Sequence, residues 1–140
     1  MSVSGLRGEF SLIGMAESAV GIVPNKSPRE LCVQVTLDAI KDAGLSLAEV
    51  DGLITCNAFA EPIMYHAEAV AEYIGWQPRH CVTVNTGGGT TFMALNTAAA
   101  AIQAGMANTI VVAMADSLRS FMTRDQAMLV QSSSGHPNYE

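Results

Sequence analysis

Between Val82 and Ala115 the sequence passes from a β-branched apolar stretch, through three consecutive glycines, into a long run of small residues and then a second apolar stretch, TIVVAMA. The glycines Gly87-Gly88-Gly89 let the backbone turn sharply at the end of the first stretch. From Thr90 to Ala104 the chain carries Ala94, Ala98, Ala99, Ala100, Ala101 and Ala104, residues of the highest helix propensity, and Gly105 is placed to stop that helix. Thr109 to Ala115 is almost continuously apolar, the pattern of a parallel strand covered on both faces. A strand, a glycine turn, a helix and a strand in this order dictate a right-handed parallel crossover, and therefore an α/β fold.

The rest of the chain extends the same alternation. Phe10 to Glu17 (FSLIGMAE) predicts a first strand. Ser27-Pro28-Arg29-Glu30 has the spacing of a capping box, with proline at the first helical position, and predicts a helix to Ala43 closed by Gly44. Ser46 to Glu49 repeats the capping spacing for one short turn, and Gly52 to Cys56 (GLITC) predicts a second strand. Ile63, Ala67, Val70, Ala71 and Ile74 fall at helical spacing ahead of Gly75, and His80 to Asn85 predicts the third strand. The predicted order is β-α-β-α-β-α-β. After Asp116 the periodicity breaks down, so residues 1–116 are assigned to an α/β domain and residues 117–140 to the start of a loop or accessory region. The sequence stops without a closing element, which predicts a longer natural chain.

Composition narrows the function classes. Seven basic against thirteen acidic side chains give a formal charge of −6 in 140 residues, so the global positive field needed for nonspecific nucleic-acid binding is missing. Charged residues make up only 14%, against about a quarter in an average soluble domain, which predicts burial against another domain or subunit. Cys32, Cys56 and Cys81 form neither a CxxC pair nor an even set, a pattern that suits a reducing cytoplasm and suggests no metal ribbon. The apolar regions are interrupted by polar residues such as Asn96, Gln103 and Asn108, so no membrane span is expected.

The glycine turn is the candidate site. A helix N-terminus leaves backbone N–H groups unpaired and favours negative charge, so Gly87, Gly88, Gly89 and Thr90 can face an anion or a developing oxyanion. Glycine runs also occur simply to let a chain turn. No Gly-Lys-Ser/Thr follows, so this is not a nucleotide-binding P-loop.

The stretch VNTGGGTTFMALNTAAAAIQAGMANTIVVAMADSL resembles the segment of thiolase-superfamily proteins in which a Val-Asn pair precedes the nucleophile, a buried helix follows, and an apolar strand ends near an acidic residue and a serine, here Asp116-Ser117. KSPRELCVQVTLDAIKDAGLSLAEVDGLIT resembles the family's first helix and second strand, especially in sterol-carrier-protein-type thiolases and related lipid-transfer proteins. The resemblance implies a layered αβαβα fold, of which this chain would form most of the first half; the small residues around much of the circumference of the Ala-rich helix predict a helix enclosed between two sheets rather than an ordinary amphipathic one. Counted from Val84-Asn85, the family's cysteine falls at Gly88, which has no side chain to carry an acyl group. The cysteine-free branch resembling steroid side-chain aldolases, which cleaves a carbon–carbon bond in an acyl-CoA, fits that glycine.

The resemblance also implies a CoA thioester as substrate with no further cofactor, a homodimer, and a small OB-fold partner subunit. Arg119 and Arg124 follow the last strand, where it implies a loop region near the CoA nucleotide; they could pair with phosphate or stand as solvated surface charge. Cys56 at a strand's carboxyl end and His136 in Gly135-His136-Pro137 are secondary catalytic candidates, while Cys32, Cys81, His66 and His80 suit structural roles. Two alternatives stay open: an acetyl-CoA acyltransferase whose nucleophile is Cys56 or Cys81, and a non-catalytic acyl-CoA-binding scaffold.

Overall fold

In the computed structural model, residues 8–133 are described. Helix α1 (Pro28–Asp42) starts as its sequence dictates. The Ser27 hydroxyl accepts the Glu30 N–H at 3.2 Å, and the Glu30 carboxylate accepts the Ser27 N–H at 2.8 Å. These bonds occupy donors that a helix start otherwise leaves unpaired. Gly44, at φ +70, takes the left-handed conformation that ends α1. A single 3-10 turn at Leu47–Glu49 leads into strand β1 (Gly52–Thr55), followed by α2 (His66–Ile74), β2 (His80–Thr83), α3 (Thr90–Gln103) and β3 (Ile110–Ala113).

The sheet has the order β2-β1-β3 and is parallel throughout. Leu53 is level with Cys81 on one side and Val111 on the other; Thr55 is level with Thr83 and Ala113. Strand β1 is buried along its whole length, as the middle strand of a sheet covered on both faces must be. Its side chains alternate between two small cores. Leu53 meets Cys32, Ala67 and Val70 under α1 and α2, whereas Ile54 meets Ala94 and Ala98 of α3. At the amino end of the sheet the Asp51 carboxylate accepts the backbone N–H groups of Asn108 and Thr109 at 2.8 and 2.9 Å, and so joins β1 to β3. The Arg79 guanidinium donates to the carbonyls of Gly105 and Met106 just beyond the end of α3.

Three expectations are corrected. Phe10 to Glu17 is not a strand; the described chain enters the sheet at β1. That segment is fastened to α1 instead: Met15 N–H donates to Asp42 at 2.9 Å, and a Cβ on Gly14 would stand 2.5 Å from the Ala39 carbonyl oxygen. A cleft of about 730 Å³ separates it from β3. Second, α2 begins at His66 rather than Ile63, because Tyr65 holds a non-helical backbone at φ −112 and ψ 64. Third, α3 is not enclosed here. It buries Thr90, Ala94, Ala98 and Ala101, but Phe92 is 73% exposed, Met93 46% and Leu95 37%. In the region after Asp116, read as the start of a loop or accessory region, α4 (Leu118–Phe121) and α5 (Arg124–Ser133) follow. Among the described residues, no helix is long and apolar enough to cross a membrane, and no group of His, Cys, Asp and Glu could hold a metal ion.

Candidate functional site

Parallel strands bring their carboxyl ends to one edge of a sheet, where open α/β folds place their ligands. Here that edge collects Cys56 and Asn57 after β1, Val84 and Asn85 after β2, and Asp116 and Ser117 after β3. The ladder continues one step past the strands, with Val84 N–H donating to the Thr55 carbonyl at 2.8 Å.

The glycine turn follows at once. Gly87 takes φ +65, a conformation that an L side chain would strain, and Gly87 to Gly89 form one 3-10 turn running into α3. Thr90 holds it: its hydroxyl donates to the Gly87 carbonyl at 2.6 Å and accepts the Thr86 N–H at 2.9 Å, and its backbone N–H also reaches the Gly87 carbonyl. Thr90 is buried and engaged inside the turn. Gly88 and Gly89 are open, since a Cβ on either would meet nothing within 4 Å. Sterics therefore do not demand glycine at position 88. Beside the turn, the Thr91 hydroxyl donates to the Met114 sulfur at 3.5 Å, and both residues border the cleft against β3.

The loop between β1 and α2 closes over the same edge. The Asp116 carboxylate accepts the N–H groups of Phe59 at 2.7 Å, Ala60 at 3.3 Å and Ser117 at 2.7 Å. Arg29 pairs with Glu61 at 3.4 Å and lies over the Tyr73 ring, 5.5 Å from its centroid. At the loop's end His66 is fully buried, with Nδ1 2.9 Å from the Thr55 hydroxyl, and the next residue's N–H donates to Thr83 Oγ1 at 3.0 Å. Burial lowers the His66 pKa, with the charges of Glu61, Arg29 and Asp116 as smaller influences.

None of the three thiols is activated. Burial pushes Cys32 up to about 12 and Cys81 up to about 11. Cys56 is also raised, first by burial and then by the negative charge of Asp116. A nucleophilic cysteine needs the opposite environment. The structure places Cys56 at the site's edge, where burial and the Asp116 charge keep its thiol protonated. Arg119 lies in α4 and Arg124 opens α5; both are exposed beyond β3. His136 lies outside the described residues. From the sequence His66 suits a structural role, and Asn57 is not singled out. The available signals were a histidine just ahead of a helical pattern and an asparagine just after a buried strand.

No family model matches the chain. It is 29% identical over 119 residues to the 17-hydroxy-3-oxo-4-pregnene-20-carboxyl-CoA lyase of Mycobacterium tuberculosis, a match covering 84% of this chain and 30% of that protein. Among solved structures, the Ltp2-ChsH2(DUF35) aldolase superposes with a TM-score of 0.61 at 30% identity, over 76% of this chain and 28% of that one. The 3-oxoacyl-[acyl-carrier-protein] synthase III of Aquifex aeolicus superposes with the same TM-score of 0.61 at 20% identity, over 74% of this chain and 35% of that one, and that likeness bears on fold alone. The chain thus spans about a third of the length of the relatives it matches.

Proposed function

This chain belongs to the thiolase superfamily, and from that premise we propose that it supplies an α/β portion of an acyl-CoA lyase that breaks a carbon–carbon bond beside a thioester without an acyl-cysteine intermediate. The observation that carries the reading is Gly88: the position counted to the family's nucleophile has no thiol, although a Cβ there would meet open space. The raised thiols of Cys32, Cys56 and Cys81 support it, because none is set up to take over the covalent role. Two relatives whose names are those of a lyase and an aldolase support the same chemistry.

In such a reaction a base takes the proton of a β-hydroxyl and the oxygen's electrons form a carbonyl. The bond between Cα and Cβ breaks, its electron pair moves into the thioester carbonyl as an enolate, and a proton returns to Cα. This chain contributes the start of α3, where a helix dipole favours the enolate's negative oxygen. Gly88 and Gly89 let a thioester approach that end closely. The substrate class is a β-hydroxyacyl-CoA with a bulky lipid acyl group, of which a steroid side chain is one case. The enzyme would use no cofactor beyond the CoA of its substrate, and would act in the cytoplasm as a homodimer with an OB-fold partner subunit. Arg119 and Arg124 are the residues of this chain offered to the CoA phosphates.

The test is incubation of the native polypeptide with a panel of β-hydroxyacyl-CoAs, read by mass spectrometry. The expected result is a shortened acyl-CoA plus a ketone or aldehyde, with the protein mass unchanged. An acyl group retained on a cysteine would overturn the reading and restore an acyltransferase.

A further inference from the structure

Buried polar atoms in folded proteins nearly always have a hydrogen-bond partner, and a cluster lacking one asks for an explanation. Three such atoms belong to residues at the carboxyl edge of this sheet, and a fourth, Arg29 Nε, is on a guanidinium already paired with Glu61 of the loop above it. His66 Nε2, Asn57 Oδ1 and Ser117 Oγ are each buried with no protein partner, and the His66 and Ser117 residues are more than nine-tenths buried. Thr55, bonded to the His66 ring, is level with Ala113 on β3. Asn57 follows Thr55 by two residues and Ser117 follows Ala113 by four, so both lie beyond that rung on the carboxyl side of the sheet. Asp116 keeps both arms in place, bonding the loop that follows Asn57 and the backbone of Ser117 with the same carboxylate.

We infer that His66, Asn57 and Ser117 form a buried receptor for one neutral hydroxyl oxygen. The donor set selects that class. A histidine ring whose Nδ1 is engaged by Thr55 offers at Nε2 either a donor or an acceptor according to its tautomer, the asparagine oxygen only accepts, and the serine hydroxyl does both. A group that donates and accepts at once satisfies all three, whereas an anion would oppose the asparagine oxygen. The same chemistry has two sources, a water molecule or the hydroxyl of a bound substrate.

The first test is a double-mutant cycle on the native polypeptide with His66→Leu and Ser117→Ala, read as thermal midpoints, with His66→Gln as the milder companion. If one oxygen is held jointly, each single change lowers Tm by a few degrees. The double change then costs clearly less than the sum, because the first loss already empties the receptor. If the atoms are simply unpaired, an apolar side chain relieves the cost of burying them. Ser117→Ala, which breaks no other side-chain bond, would then leave Tm unchanged or raise it, which overturns the inference, as would strictly additive losses.

The second test separates the sources by following the ring nitrogens of His66 in 15N spectra with 3-hydroxybutyryl-CoA and with butyryl-CoA. A shift with the hydroxylated ligand alone assigns the oxygen to substrate. Equal response to both ligands, or none, together with non-additive losses in the cycle, assigns it to water. Failure of either CoA to bind would count against the lyase reading while leaving the stability cycle intact.

Discussion

Position 88, where the count from Val84-Asn85 expects a nucleophilic cysteine, carries glycine although the surroundings leave room for a side chain. Nothing lies within 4 Å of where a Cβ would stand, and Gly88, unlike Gly87, does not hold a positive φ. Gly88→Cys is therefore expected to fold with a stability change within about 1 kcal/mol. It places a thiol at the start of α3, where the helix dipole favours thiolate. Timed iodoacetamide labelling followed by peptide mapping should find the introduced thiol modified faster than Cys32, Cys56 or Cys81, whose thiols burial holds high. Labelling at the slow rate of the native thiols would show that the turn does not present position 88 to the dipole. Gly52 is the opposite case. A Cβ there would stand 2.6 Å from Ile110 Cγ1 in the neighbouring strand, so Gly52→Ala should cost about 1–3 kcal/mol, measured as a fall in the urea midpoint. Strand packing requires glycine at position 52; nothing in the packing requires it at position 88.

Among the elements, those marked by local chemistry were legible and those decided by distant contacts were not. Ser27, Pro28, Glu30 and Gly44 state the limits of α1 within the sequence itself, and the structure keeps them to within one residue. Removing the cap with Ser27→Ala should cost about 1 kcal/mol, again read from the urea midpoint; no loss would mean that the packing of Leu31, Cys32 and Ile40 alone fixes the helix start. The glycine turn was legible too, because three glycines between a strand and a helix leave little else to form. FSLIGMAE was misread because strand texture does not say which edge a segment will pair with, and its backbone is tied to α1 through Met15 and Asp42. The polar edge was missed for a similar reason: Asn57, His66 and Ser117 reach the same edge of the sheet only through the β1–β3 register and the Asp116 bonds. His66 makes that edge sensitive to acid. Its pKa in the folded chain lies below the ordinary value of 6.5, so burying it neutral stabilises the fold fully above that value, and the contribution is lost as pH falls through the lowered folded value. Stability between pH 7.5 and 5 should therefore fall in the native protein and fall less in His66→Leu. Identical pH profiles would show that His66 does not carry the acid dependence.

For the molecule as a whole, the low charge content finds its counterpart in the surface. Only 14% of residues are charged, and α3 turns Phe92, Met93 and Leu95 outward while Ala94, Ala98 and Ala101 face the sheet. Leu12, Ile13 and Met15 are exposed beside the cleft along β3, adding to an apolar surface uncommon on a free monomer. The net charge of −6 opposes self-association, but at physiological salt its repulsion is screened beyond roughly 8 Å, whereas burial of apolar area is not weakened in that way. At contact distance the apolar term should win. The 140-residue chain by itself is thus expected to associate with increasing concentration, and Phe92→Lys with Leu95→Lys should shift it toward monomer in sedimentation velocity while leaving far-UV circular dichroism unchanged, because neither side chain is part of the buried set of α3. The salt response separates the causes: association driven by this face persists or strengthens when sodium chloride is raised from about 0.1 to about 0.5 M, and association through charged groups weakens. A native chain that stays monomeric across that range would mean that these side chains fold back over the sheet edge and cover one another, and the outward face of α3 would then not account for the sparse charge of the sequence.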